Sequence, residues 1–431
     1  MNNLTLPDSA SPDQIEAAQI IDEGGHCLIT GPGGTGKSWL IDQIVEQLEH
    51  VALTASTGIA AVNIGGRTIH SWSGMGLAQA TADELIAKIK YQKYMEATRE
   101  RIEATRHLII DEVSMLGANL FEKLDQVLRA IKDNPEPFGG IQLIMFGDFL
   151  QLPPVKDEFV FTSPIWGFML PKVKVLTTIH RQKDKEFSEL LMRLRIGRHT
   201  QADMRFLESL QSNKLEGKPL ILHSHNDNVD RFNQKELDAL DTNLFTYEAS
   251  DTGDDKNALQ QLDKNCLSPF ELQLKVGARV MLTKNLSASL ANGTCGTITK
   301  LEKKKVHVKW DSYDFSMELD KGEWEVTDTA TREVLARRKQ YPLRLAWAVT
   351  IHKSQGMTLQ EANVFLGQCF APGQVYVALS RMSNTEYLRL SSFKPTLIKT
   401  DRTALAFYNN PMEPSKWCKM DKVMNVDPLG L

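Results

Sequence analysis

The sequence lacks most of the features that would assign it at a glance. Its five cysteines, Cys27, Cys266, Cys295, Cys369 and Cys418, are odd in number and scattered. None stands in a C-x-x-C pair, which argues against a structural zinc site or a disulfide framework and fits a reducing compartment. No lysine or arginine precedes Lys37, so the N-terminus has neither the basic region of a secretory signal nor the arginines of a transit peptide. No uncharged apolar run approaches membrane-spanning length, and the longest candidate, YPLRLAWAVTI, carries Arg344. A cytoplasmic protein with no membrane partner is expected. Positive charge is not in excess either: 50 Lys and Arg face 54 Asp and Glu, for a net charge of −4. Any nucleic-acid partner must then be met by a local basic groove. Internal repeats and long low-complexity tracts are absent, as is a second carboxylate cluster of the kind a nuclease would need.

What is present is length and rhythm. The 431 residues suffice for two to four domains. Short apolar strands recur, each followed by polar turns and a helical pattern, as in a parallel α/β sheet. One set is HCLIT (26–30), HVALT (50–54), HLIID (107–111) and IQLIMF (141–146). A second is VKVLT (173–177), LILH (220–223), LRLAWAVTI (343–351) and ANVFL (362–366). Two sets imply two α/β domains with a cleft between them. Between 265 and 340 the grain changes to the alternating patterns VHVKW, FSMEL and EWEV, which suggest a small β-barrel inserted in the second unit. The charged segment 78–105 reads as a solvated helix or small helical subdomain. His223 and His225 form an H-x-H pair, but no third ligand lies near in sequence, so polar or capping roles are expected.

GPGGTGKS, Gly31 to Ser38, matches the phosphate-binding pattern G-x-x-x-x-G-K-[ST] in its required setting, between the strand HCLIT and the helical pattern WLIDQIVEQLEH. Gly31, Gly33, Gly34, Thr35 and Gly36 let backbone N–H groups curl around phosphate oxygens. Lys37 neutralises the outer phosphates of ATP, and Ser38 reaches Mg²⁺. LIIDE supplies the second half: Asp111 ends a strand where it can hold the magnesium, and Glu112 can orient and deprotonate an attacking water. GDFLQLPP, Gly147 to Pro154, follows another strand. An amide has no useful pKa, so Gln151 suits a hydrogen-bonding sensor better than a nucleophile or base.

Taken with these, TASTGIAAVNIGGRTIHSWSGMG (54–76), DEVSM (111–115), PFGGIQLIMFGDFLQLPPV (137–155), HRQ (180–182), LKVGARVMLTKN (274–285), NGTCGTI (292–298), WAVTIHKSQGMTL (347–359) and QVYVALSRM (374–382) form an ordered set. It resembles the successive motifs of the petite-integration-frequency (PIF) DNA helicases, superfamily one, subgroup B, which move 5′ to 3′ on single-stranded DNA. The resemblance implies two RecA-like parallel-sheet domains with an SH3-like insertion. Its expected boundaries are 1–170, with a helical insertion at 78–105; 171–264 with 341–400; the insertion at 265–340; and a short segment from 401.

The same resemblance implies roles. Gln14 reads adenine, Gly356 belongs to the nucleotide site, and Gln151, Arg181 and Arg381 join Lys37 and Glu112 in catalysis, the arginines coming from the second domain. Thr57, His70, Thr350, His352 and Lys353 contact DNA, as groups suited to phosphates. Lys303 to Lys305 could reach DNA or simply be solvated, and Phe159, Phe161 and Trp166 could stack bases or fill a core. ATP and Mg²⁺ are the implied cofactors. The implied partners are single-stranded and 5′-tailed DNA, with G-quadruplexes and RNA–DNA hybrids left open, bound by a monomer. With so little chain outside the motifs, a bare motor from a bacterium or phage is expected. A RecD-type motor, a translocase that strips proteins, and a protein-remodelling ATPase remain alternatives.

Overall fold

The computed structural model describes residues 4–411 apart from 77, 79, 183, 216–218, 267, 285, 288–289, 291–293, 312, 328–333, 356 and 360. The chain forms two compact units. The first comprises the chain up to Glu208, Cys369–Thr385 and the segment from Lys394 onward; the second comprises Ser209–Gln368 and Glu386–Phe393.

The first unit is built on a sheet of β1 (Cys27–Thr30), β2 (Val51–Ala55), β3 (Arg67–Thr68), β4 (His107–Asp111), β5 (Gln142–Gly147) and β6 (Lys172–Val175), in the order β3-β2-β4-β5-β1-β6. Every pairing is parallel. The central strands are buried on both faces, as covering helices require. Side chains alternate between two cores. Leu28, Leu108, Ile110, Leu143 and Met145 face one core with Phe121, Leu124 and Leu128 of the helix Ala118–Lys132. Cys27, Ile29, Ile109, Ile144 and Phe146 face the other, against Ala17 and Ile21 of α1 (Pro12–Asp22) and Leu40, Ile41 and Ile44 of α2 (Lys37–Val45).

Two expectations change here. VKVLT, grouped by sequence with the second set of strands, supplies β6 and pairs with β1 over Cys27↔Lys172 to Thr30↔Val175. Its spacing matches either sheet, and only pairing decides which one it joins. The segment 78–105 is helical, over Ala82–Tyr91 and Glu96–Ala104, but it is not merely solvated. Leu85, Ile89, Met95 and Ile102 are buried in the same core as β4 and β5.

The second unit holds a parallel sheet ordered Ala348–Thr350, Leu220–His223, Ala362–Phe365 and Leu388–Ser391. LRLAWAVTI is split: Leu343–Leu345 pairs instead with Arg279–Leu282. Ala346 donates to the Arg279 carbonyl, and the Asn233 side chain brackets Ala348 from both sides, which fixes the break. The antiparallel strands lie between Phe245 and Leu345, a wider span than 265–340, and pack around Trp310, Val306, Val308, Leu343 and Tyr341.

Candidate functional site

Strand register gathers the first unit's chemistry at one end of its sheet. Thr30, the last residue of β1, lies beside Gly147 of β5 and Val175 of β6, and Ala55 lies beside Asp111. The P-loop, the Thr57 turn, the Asp111–Glu112 pair and the Gly147–Gln151 turn therefore all leave the sheet at its carboxyl edge, where open parallel sheets bind ligands.

The loop is held from several sides. Lys37 Nζ donates to the carbonyls of Gly31 (2.7 Å) and Pro32 (2.9 Å), and Thr35 Oγ1 also donates to Pro32 O (3.0 Å). Gly34 sits at φ +91°, and a Cβ there would come within 2.7 Å of the Arg181 Cβ, so glycine is required on both counts. Gln14 is buried beside the loop, with Nε2 donating to Thr35 O (3.3 Å) and Oε1 accepting from Ser11 N–H (3.0 Å). Its amide thus ties α1 to the P-loop, a structural task in addition to the expected adenine contact. Ser38 is exposed at the start of α2.

Asp111 and Glu112 are neighbours in a desolvated place. Burial, then the adjacent Glu112 charge, pushes Asp111 up to about 7. Its Oδ1 accepts from the Glu112 N–H at 2.8 Å. Glu112 stands at φ +52°, and its Oε2 is buried with no hydrogen-bond partner among the described residues. Burial raises its pKa too, while Lys37 and then Arg381 pull it down. An unpaired buried carboxylate oxygen is costly, and here it suits a site that completes itself with a polarised water.

Arg181 and Arg381 lie in the same compact unit as the P-loop. Burial, and then the charge of Arg381, lowers Arg181 to about 9. Arg381 is buried, with Nη2 on Ser380 Oγ (2.9 Å) and Nε on Val377 O (3.0 Å). A Cβ on Gly33 would lie 3.1 Å from its Nη2. Lys37 feels Asp148 first and then Glu112 and Asp111, while both arginines feel Glu112; Asp148 is also held by Arg195 through two hydrogen bonds of 2.8 and 2.7 Å. Four cations, Lys37, Arg181, Arg195 and Arg381, against the carboxylates of Asp111, Glu112 and Asp148, together with the glycine cradle, fit a polyphosphate with a divalent cation.

Tyr376 and Gln182 lie inside the quoted motifs, but their roles are visible only in the fold. Tyr376 accepts from the Gly33 N–H at 2.9 Å. Gln182 fixes the Arg381 turn by donating to Ser380 O (3.1 Å) and Met382 O (3.0 Å). Gln151 is buried; its backbone N–H bonds Asp148 O (2.9 Å), while no hydrogen bond reaches its side-chain amide among the described residues. Gly373, at φ +75°, caps the helix Gln374–Leu379 that leads to Arg381. A Cβ there would fall 2.1 Å from the Gln151 carbonyl, so the Gln151 turn and the arginine's helix are in direct contact.

The remaining candidates are less concentrated. Thr57 caps the helix Gly58–Asn63, its Oγ1 accepting from Ala60 N–H at 3.2 Å, and His70 is half-buried with its pKa lowered by burial. In the second unit Thr350 is buried and accepts from Lys353 N–H (3.3 Å), which makes it a turn cap as well. His352 and Lys353 follow in that turn, both with pKa lowered by burial, reinforced by His225 for the first and Arg344 for the second. Arg344 itself was not foreseen. Among the described residues its buried Nε has no hydrogen bond, and Asp230 is the one acid that acts on it. Gly356 lies outside the described residues. Phe159, Phe161 and Trp166 are buried against Phe149 and Phe407, which makes them core rather than a stacking platform. Lys305 pairs with Glu318 on an exposed hairpin (3.0 Å), and His223 stacks on Phe365 at 4.6 Å. No group of three or more His, Cys, Asp or Glu side chains placed to hold a metal ion is found among the described residues.

A model of PIF1-like helicases matches residues 9–205, and a model of the Pif1 2B domain matches 257–301. The crystal structure of Pif1 helicase from Candida albicans superposes with a TM-score of 0.84 at 35% identity, covering 93% of this chain and 99% of that one. The chain belongs to the PIF1-like helicase family. It is also 37% identical to the ATP-dependent DNA helicase PIF1 of Xenopus laevis over 93% of its own length, and spans 64% of that relative's. Bacteroides Pif1 bound to single-stranded DNA is 28% identical with a TM-score of 0.72, covering 94% of this chain and 98% of that one. The PIF1-like fold accounts for the α/β class, with RecA-like parallel sheets and an antiparallel insertion. A bacterial or phage source gains no support, since relatives at this identity include frog and human proteins. No helix among the described residues is long and apolar enough to cross a membrane.

Proposed function

We propose that this PIF1-like chain is an ATP-driven motor that moves 5′ to 3′ on single-stranded DNA and separates duplexes ahead of it. The observation that carries this reading is the convergence of Lys37, Asp111, Glu112, Arg181 and Arg381 on one P-loop, with the Gln151 turn touching the helix that leads to Arg381. Bound Mg²⁺–ATP would supply the phosphoryl group whose transfer to water drives the cycle. Lys37 and the two arginines stabilise charge on that group, Ser38 and Asp111 hold the cation, and Glu112 takes the proton of the attacking water. Gln151 reports whether the outer phosphate is present, and the contact at Gly373 carries that report to the Arg381 helix.

Thr57, His70, Thr350, His352, Lys353 and Arg344 hold phosphates of the strand and read no sequence. The working unit is a single chain, and the polarity rests on family membership. The test is unwinding of 5′-tailed against 3′-tailed duplexes with ATP and Mg²⁺, alongside hydrolysis with and without single-stranded DNA. Selective opening of the 5′-tailed substrate supports the reading. ATP-dependent motion without strand separation would make the chain a translocase, and hydrolysis indifferent to DNA would favour a protein-remodelling ATPase. Running forks, G-quadruplexes and RNA–DNA hybrids in parallel would rank the physiological substrates.

A further inference from the structure

The segment after the last motif looks like a tail in sequence, yet its helix Arg402–Asn409 reaches the base of the nucleotide site. Phe407 is fully buried, stacked on Phe161 at 4.5 Å and edge-on to Phe149 at 5.2 Å. The next residue, Tyr408, stands at the carboxyl edge of the sheet, beside Thr30. Its hydroxyl meets Thr30 Oγ1 at 2.5 Å, Phe149 N at 3.1 Å and Asp148 Oδ1 at 3.1 Å, and the Arg195 guanidinium lies 5.0 Å from its ring centre.

A phenol has one proton to give and two lone pairs. Asp148 is ionised, since Arg195 holds its carboxyl below the usual range against the penalty of burial, so it only accepts, and the Tyr408 proton goes to it. Phe149 N–H can only donate. The Thr30 hydroxyl therefore donates as well, and all three capacities of the tyrosine are used. The two sides of this node are significant: Thr30 is the residue before the P-loop, and Asp148 and Phe149 open the turn that carries Gln151.

We infer that Tyr408 is a positioning residue of the nucleotide site, whose hydroxyl fixes the Gln151 turn to the strand that ends in the P-loop. The inference rests on the nucleotide-hydrolysing reading above. Without the hydroxyl, the Phe149 N–H, the Thr30 hydroxyl and one Asp148 lone pair lose their partner, and the turn is free to shift while Lys37 and the loop stay in place.

The test uses the full chain as Tyr408→Phe, with Phe407→Leu as a control that loosens the same helix without touching the hydroxyl. Tyr408→Phe should lower kcat for DNA-stimulated hydrolysis by about tenfold while KM for ATP moves by less than about twofold, the size of one hydrogen bond to a charged group. Phe407→Leu should lower Tm at least as much and keep kcat. Hydrogen exchange of the 148–151 amides, with and without a non-hydrolysable ATP analogue, gives a readout independent of DNA. The analogue should protect these amides in wild type and Phe407→Leu, and much less in Tyr408→Phe. An unchanged kcat with unchanged protection in Tyr408→Phe overturns the inference, as does an equal kcat loss in Phe407→Leu. If wild-type hydrolysis ignored DNA, the helicase reading would fail, and the exchange experiment would still decide the role of Tyr408.

Discussion

The nucleotide end of the first unit and the Thr350–Lys353 turn of the second use charge in opposite ways. In the first, cations and carboxylates are buried together and most of them are tied by short hydrogen bonds: Asp148 to Arg195, Arg381 to Ser380 and Val377, Lys37 to the loop carbonyls. In the second, Lys353 and Arg344 repel one another, and among the described residues Asp230 is the one acid that offsets them. On the proposed function the difference follows from the tasks. Stabilising charge on one phosphoryl group needs dipoles fixed to a fraction of an ångström in a dry site. Holding a strand that must slide needs several weak phosphate contacts, none of them decisive.

That contrast predicts a hierarchy of mutational effects. Lys37→Ala and Glu112→Gln should each cut ATP turnover by about 10³ or more, the range for removing a group that acts in the transition state. Nucleotide affinity should fall for the lysine variant and hold for the glutamine variant, as equilibrium binding measured beside steady-state hydrolysis would reveal. Near-normal turnover in Glu112→Gln would erase the contrast.

A control lies at the opposite end of the same sheet. Burial lowers His26 to about 4, and its Nδ1 accepts the Leu143 N–H at 3.2 Å. A folded pKa below the unfolded value of 6.5 gives stability that is present above pH 6.5 and lost as pH falls toward 4. The loss should reach about 3 kcal/mol. Urea unfolding at pH 7 and pH 5 should record about 2 kcal/mol of it, and His26→Gln should flatten the difference while leaving turnover at pH 7 intact. A turnover defect in that variant would mean that the two ends of the sheet are not independent.

Gln151→Ala should act at an intermediate level. ATP binding should stay near wild type, while DNA-stimulated hydrolysis falls by about tenfold and base pairs opened per ATP fall with it, because only a reporting hydrogen bond is lost. Intact stimulation and intact coupling would reduce Gln151 to a turn residue.

The smallest effects belong to the second unit. Lys353→Ala and Arg344→Ala should each weaken single-stranded DNA binding only a few-fold and reduce the log–log salt slope by about 0.7. Fluorescence titrations over a range of salt concentrations would measure both. A loss confined to one DNA sequence would contradict phosphate tracking and bring the second unit closer to the first in character.

The elements legible in sequence are those whose chemistry needs consecutive residues. A phosphate cradle is a run of backbone N–H groups between a strand and a helix, so Gly31 to Ser38 could be read directly. Asp111 and Glu112 were legible because a buried apolar strand ending in two acids is a local pattern. Arg181 and Arg381 are legible through their motifs, but a motif does not say which sheet its flanks join. VKVLT joined the other sheet for the same reason, and LRLAWAVTI broke in two because Asn233 brackets Ala348 from a distant helix.

By itself, then, the sequence determined the strand-and-helix rhythm, the P-loop, the carboxylate pair and the family whose motifs the chain carries. Only the tertiary structure decided which aromatics are core, that Arg344 stands with Lys353, and that Tyr408 meets Thr30 across 378 positions of chain. The physical reason is the range of the interactions. Backbone hydrogen bonding and side-chain periodicity act within a few residues and leave a local imprint. Burial and side-chain hydrogen bonds between distant segments depend on which surfaces close over one another, and no short stretch of sequence records that.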